Sequence, residues 1–191
     1  MIILDLLCLL LLGCGGPLGM ENRQITAVQI SASSQYDGSH ALTLGSLHFK
    51  GGNGVWAAAT NDLNQWFQID LRVEANVTFV ATRGRHGDPN QWLTQYKLQY
   101  SKDGLSFQVY KETRQSSDKV RTVFAEHSRL IVFVGNSDQD TVVKHPLIPP
   151  IGARYIRLIP TAWNRQIAMR MELYGCFGNY NPRLNLQQFN D

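Results

Sequence analysis

Short runs of alternating apolar and polar residues, separated by turn formers, make up most of the chain. Phe67, Ile69 and Leu71 alternate with Trp66, Gln68 and Asp70; Val77, Phe79 and Ala81 with Thr78, Val80 and Thr82; Tyr96, Leu98 and Tyr100 with Lys97, Gln99 and Ser101. Towards the C-terminus, Ile156 and Leu158 alternate with Tyr155 and Arg157, and Met169, Met171 and Leu173 with Arg170 and Glu172. A period of two sends successive side chains to opposite faces, so each run is expected to be a strand with one apolar face. Asp37-Gly38, Gly51-Gly-Asn-Gly54, Gly87-Asp-Pro-Asn90, Asp103-Gly104 and Pro149-Pro150 punctuate them as turns. Strands at this spacing predict an all-β antiparallel sandwich or barrel, and no segment requires a long helix.

The 191 residues suffice for one domain with a full core, and no linker divides them. The net charge of +3 comes from scattered Lys and Arg, which gives no nucleic-acid footprint. Met1 to Leu12 is apolar and is followed by small residues, so residues 1–13 read as a signal peptide ending just before Cys14. It lacks a basic start, and a truncated gene start is the alternative. The stretch is too short to span a bilayer. Asn76-Val-Thr78 is a glycosylation sequon, with Asn76 as the acceptor. Cys8 would leave with the signal. A bond between Cys14 and Cys176 would join the ends of the domain and, in an oxidising compartment, stabilise it by about 5 kcal/mol. Cysteine arithmetic alone leaves three unrelated thiols as the other reading.

Ten stretches carry a resemblance to one family. They are Cys14-Gly-Gly-Pro-Leu-Gly-Met20, Ile30-Ser-Ala-Ser-Ser34, Trp56-Ala-Ala-Ala-Thr-Asn-Asp62, Gln65-Trp-Phe-Gln-Ile-Asp-Leu71, Ala81-Thr-Arg-Gly-Arg85, Gln91-Trp-Leu-Thr-Gln-Tyr-Lys97, Tyr100-Ser-Lys-Asp-Gly104, Gly135-Asn-Ser-Asp138, Pro149-Pro-Ile-Gly-Ala-Arg-Tyr-Ile-Arg157 and Arg170-Met-Glu-Leu-Tyr-Gly-Cys176. In this order they resemble the coagulation factor V/VIII type C, or discoidin, domain over residues 14–176. The resemblance implies a distorted eight-stranded jelly roll of the galactose-binding-like kind, bonded first and last cysteines, and a ligand surface made of loops at one end. Family members bind anionic phospholipid, glycans, collagen or other cell-surface proteins, generally without catalysis. Residues 177–191 lie beyond the family boundary and are expected to form a flexible tail. One departure is Arg121 to Val132, twelve residues interposed where Val120 would otherwise run into Phe133.

Catalytic chemistry finds no foothold in the sequence. His40, His48, His86, His127 and His145 fall at no metal-ligand spacing, and no Gly-x-Ser-x-Gly elbow or phosphate-cradling glycine loop occurs. Neither a cofactor nor a metal is expected. Asn136, Asp138 and Asp140 alternate as a calcium loop begins, but its glycine and distal glutamate are missing, so a capped turn is the better reading. Asp70, Glu172, Arg157 and Arg170 are expected to form partly buried ion pairs between strands.

The loops carry the functional expectation. Gln35 to Leu44 corresponds to a family spike, with Tyr36, Asp37, His40, Leu42 and Leu44 as candidate contacts; exposed leucines there would suit a lipid interface, and the alternative is that they tuck under the barrel. Arg83 to Asn90 corresponds to another spike, where Arg85, His86 and Asp88 could meet phosphate, sulfate or carboxylate. The reading is a secreted, extracellular adhesion module contacting a cell-surface phospholipid, glycan or matrix protein, with peripheral membrane contact and no nucleic acid. A soluble lectin-like carbohydrate-binding protein is the alternative.

Overall fold

The computed structural model describes residues 13–51, 54–113 and 128–178. The signal peptide over 1–12 with Cys8, the tail from 179 and residues 121–127 of the interposed segment lie outside the described residues. The strands in chain order are β1 (Gly16–Pro17), β2 (Ile30–Ala32), β3 (Trp56–Ala57), β4 (Phe67–Arg83), β5 (Trp92–Ser101), β6 (Gln108–Val109), β7 (Lys111–Thr113), β8 (Ser128–Leu130), β9 (Phe133–Val134), β10 (Val143–Asn164) and β11 (Ala168–Phe177). Among the described residues, helix is limited to single 3₁₀ turns at Ala27–Gln29, Gly38–His40 and Leu42–Gly45.

The main antiparallel array runs β1-β11-β4-β10-β5-β6, with β2 also on β4, β3 on β11 and β9 on β5. Long strands β4 and β10 bend through register shifts, so their two halves serve different neighbours. This is the all-β sandwich that the alternation predicts and the jelly roll that the resemblance implies. Phe67, Ile69 and Leu71 of β4 point inward as expected and meet Tyr96 and Leu98 of β5, Ile156 and Leu158 of β10, and Trp56 in one core. Each such side chain contributes about 1.5–3 kcal/mol through burial. Ser128–Leu130, the described end of the interposed segment, pairs with Lys111–Thr113 as a separate two-stranded ribbon.

Simple alternation fails in two places. In β4 one extra residue opposes the Tyr174–Gly175 step, so the expected face of Val77, Phe79 and Ala81 is interrupted: Val77 and Val80 share the core, and Phe79 is only half-buried. Thr78, Val80, Ala81 and Thr82 in β4 are all buried, and so is every residue from Ala168 to Leu173 in β11, including Arg170 and Glu172. Both strands are central: β11 lies between β4 on one edge and β1 and β3 on the other, and beyond β1 the N–H groups of Met20 and Glu21 reach the Glu172 carboxylate. Leu18 N–H donates to the Leu173 carbonyl at 2.8 Å, and Thr78 Oγ1 donates to the Cys14 carbonyl at 2.8 Å. The Cys14–Cys176 disulfide fixes the N-terminal segment at its start, across a sequence separation of 162 residues.

Of the four charges expected to pair between strands, Asp70 and Arg170 meet opposite charges elsewhere, while Arg157 and Glu172 meet none among the described residues. Asp70 takes two hydrogen bonds from Arg154, at 2.7 and 2.9 Å. Arg157 bonds the Gln68 amide oxygen and lies between the Trp66 and Phe107 rings. Glu172 has no cation: its carboxylate accepts the backbone N–H groups of Met20, Glu21 and Leu173. Burial pushes this carboxyl up to about 7, against those donors, which favour the ionised form.

Two outcomes follow for stability. Replacing both Cys14 and Cys176 by serine should cost about 2–5 kcal/mol, read as a lower thermal midpoint that reductant does not lower further. The second concerns pH. Because the Glu172 value rises from an ordinary 4.5 to about 7, the folded chain keeps a proton there that the unfolded chain has released, so this contribution is full below pH 4.5 and lost as pH rises through 7. Melts between pH 5 and 8 should show the midpoint fall by several degrees, and Glu172→Gln, though less stable throughout, should show a flatter profile.

Candidate functional site

Four loops meet at one end of the barrel, and a single buried side chain binds three of them. Arg170, wholly buried on β11, donates to the carbonyls of Gly84 (2.7 Å), Phe49 (3.1 Å) and Gln139 (3.0 Å), with Asp140 at 3.6 Å. Burial lowers its value to about 10, so the guanidinium stays charged at neutral pH. A planar fork of five donors can serve three carbonyls at once; an ammonium cannot do so in this geometry. Asp140 also takes Arg83 at 3.0 Å and lies 3.8 Å from His86. The loops touch directly as well. A β-carbon on Gly54, whose φ is +60°, would stand 2.9 Å from that of His86, and one on Gly84 would stand 2.9 Å from the Gln139 α-carbon. Glycine is required at both points.

The first spike is locally ordered. Asp37 caps the 3₁₀ turn Gly38–His40, accepting Ser39 N–H at 2.8 Å, Ser39 Oγ at 2.7 Å and contacting His40 Nδ1 at 2.7 Å. Those bonds hold its carboxyl down at about 2. His40 is buried, edge-on to Tyr36 with ring centroids 5.2 Å apart. Tyr36 is 58% exposed and stands out from the loop. Leu42 and Leu44 are half-buried: Leu42 packs against the main core, and Leu44 faces a cleft with Phe49. Leu47 is fully buried, whereas Phe49 is only half-buried.

Arg85 is the charged centre of the second spike. Its backbone N–H bonds the Gln91 carbonyl and its Nη1 the Gln91 side-chain oxygen, both at 2.8 Å, while Nε is buried without a partner. Burial lowers the guanidinium's value, and the charges of Asp37 and Asp88 pull it back up. The two spikes therefore share one electrostatic environment. His86 and Asp88 are exposed beside it. At the adjoining turn, Asp138 accepts the N–H groups of Asp140 and Thr141, and Asn136 donates to the carbonyls of Thr82 and Thr141. These residues act as turn caps.

The site residues thus divide into an exposed set, Tyr36, Asp37, His86 and Asp88, around half-buried Arg85, and a supporting set, His40, Leu42 and Leu44. Gln91, Gln139, Asp140 and Arg170 complete it without having been singled out for the loop end in the sequence; the available signal was a charge repeated within the apolar run of β11. Asn76 lies apart, on β4 between Gly152 and Cys176. The sequon's Thr78 hydroxyl is buried on the Cys14 and Tyr174 carbonyls.

A jelly roll that offers polar and aromatic side chains on converging loops at one end is built as a ligand-binding module. Residues 29–173 match the F5/8 type C domain, and the chain belongs to that family. It is 35% identical over 168 residues, 86% of its length, to the venom prothrombin activator pseutarin-C non-catalytic subunit of Pseudonaja textilis, covering 11% of that protein. It is 37% identical over 183 residues, 91% of its length, to the human EGF-like repeat and discoidin I-like domain-containing protein 3, covering 35% of it. The chain therefore spans only a minor part of these curated relatives. Recombinant discoidin II of Dictyostelium discoideum superposes with a TM-score of 0.66 at 25% identity, over 78% of this chain and 56% of that one.

Arg170→Met keeps the apolar stem and leaves three carbonyls without their donor. The expected cost is about 3–5 kcal/mol, or a drop of roughly 10 °C in thermal midpoint. Arg170→Lys should recover only part of it. Differential scanning fluorimetry of the two variants measures both.

Proposed function

We propose that this chain is a secreted recognition module that holds a cell-surface or matrix glycan on the loops carrying Tyr36, Asp37, Arg85, His86 and Asp88. The observation that carries this reading is the exposed Tyr36 ring beside the fixed polar groups of its own spike, with the Arg85 spike near enough that the charge of Asp37 acts on its guanidinium. A ring face and converging polar groups suit a sugar, whose faces are apolar and whose edges are hydroxyls. The half-buried positions of Leu42 and Leu44 favour this over insertion of a leucine tip into lipid. Secretion is supported by the disulfide, which persists in oxidising compartments. The family's general lack of catalysis agrees with a binding role.

Electrostatic contact with an anionic phospholipid surface is the second reading, favoured by Arg85 and His86 at the loop end. The two are separated by a glycan array and phosphatidylserine liposomes assayed at low and high salt. Glycan capture should persist in salt and be competed by free sugar, whereas a lipid contact led by Arg85 weakens as ionic strength rises. Tyr36→Ala should weaken glycan capture about tenfold, since one lost ring contact of about 1.4 kcal/mol has that effect, with the thermal midpoint unchanged. Full glycan binding by Tyr36→Ala rejects the Tyr36 loop as the place of contact, and binding to liposomes alone rejects the glycan reading.

A further inference from the structure

Behind the first spike, away from Arg85, lies a cleft of about 390 Å³ whose walls are Met20, Ile25, Ile30, Leu44 and Phe49, with Arg23, Thr26 and Thr43 at its edge. Its volume falls within the range of small-ligand sites. The walls are built and not merely adjacent. Met20 is held from both sides, its N–H on the Glu172 carboxylate at 3.3 Å and its carbonyl on Ser46 Oγ at 2.8 Å. Ile25 N–H closes the loop on the Gly19 carbonyl at 2.9 Å, and Thr26 and Gln29 cap the next turn reciprocally. The cleft is therefore preformed.

Its chemistry is two-ended. Aliphatic and aromatic side chains line one part, exposed Thr26 and Thr43 add hydroxyls, and Arg23 is exposed with its guanidinium 5.9 Å from the Phe49 ring centre. No carboxylate lies within ion-pair distance of Arg23 among the described residues. Glu21, two residues away, is turned to His48 and to its own N–H bond with Glu172. Arg23 also adopts φ +61°, a left-handed conformation that costs an arginine about 1–2 kcal/mol. The chain thus holds an unpaired guanidinium, in a disfavoured conformation, over the open end of an apolar slot.

We propose that this cleft binds a single-tail anionic amphiphile, with the tail between Ile25, Leu44 and Phe49 and the carboxylate or phosphate on Arg23. A fork of N–H donors matches either anion bidentately. The apolar walls take the chain, and the volume excludes a two-tailed lipid. The ligand could be a dissolved acid or a lysolipid drawn from a membrane, since both present the same groups.

Isothermal titration of the intact protein with decanoate and, separately, with decanol tests the assignment. Decanoate should bind saturably at one site and decanol about tenfold more weakly. Arg23→Gln should weaken decanoate about tenfold and leave decanol unchanged; as Arg23 is exposed, this variant should keep the parent's thermal midpoint. Leu44→Trp, which fills the cleft, should abolish both. A parallel arm uses phosphatidylcholine vesicles with and without palmitoyl lysophosphatidate. Decanoate binding that responds to Arg23→Gln assigns a dissolved ligand, and binding only to lysophosphatidate vesicles, lost in the same variant, assigns a membrane source. No saturable binding in either arm, or binding indifferent to Arg23→Gln, overturns the proposal. No glycan enters the measurement, so the result stands apart from the proposed function.

Discussion

The guanidinium of Arg170 is the constraint on which the loop end depends. Loops seldom fix one another, because a backbone carbonyl that leaves a strand must find water or a donor. Here the carbonyls of Phe49, Gly84 and Gln139, from three separate connections, converge on one buried cation. The charge would be costly there without partners. Each side thus needs the other: the loops solvate the arginine, and the arginine holds the loops in register. The backbone at Gly84, from which Arg85 and His86 follow, is thus positioned by a wholly buried residue.

The same strand performs the opposite operation two residues later. Glu172 points to the same side of β11 as Arg170, as the period of two requires, but receives N–H donors from the N-terminal segment in place of carbonyls. One face of one strand thus fastens loops by a cation and the chain's beginning by an anion. The disulfide reinforces the second attachment at its far end. Together they allow a central strand to carry two charges without an ion pair between them.

Much of the fold was legible because it follows from local period. Phe67, Ile69 and Leu71 declare their face by alternation alone, and the turn residues between strands mark the connections. The failures are non-local. Nothing near Thr78 or Arg170 in sequence says that the Cys14 carbonyl or the carbonyls of three loops will meet them, so burial of these polar side chains was invisible to a pattern of period two. Arg154 escaped notice as the partner of Asp70 because the pairing is set by the register of β10 on β4, which shifts between Ala153 and Tyr155. The candidate site was legible by resemblance as two spikes. Its division into exposed Tyr36 and half-buried Leu42 and Leu44 was not, because a leucine in a loop reads alike whether it meets solvent or core.

That division bears on how such a module can vary its ligand. The residues that position the loops, Arg170, Gly54, Gly84 and Asp140, contact one another or backbone, whereas Tyr36, Asp37, His86 and Asp88 project outward. Changes at exposed Tyr36, His86 or Asp88 should cost little folding energy, since exposed substitutions usually lie within about 0.5 kcal/mol, whereas Asp37 caps its own turn. A change in the inner set leaves a buried donor or acceptor unmatched and disturbs several loops together. Arg85 belongs to both sets, with Nη1 tied to Gln91 and its charge felt by Asp37 and Asp88. In the proposed site it is the point where a change of charge also disturbs the loop.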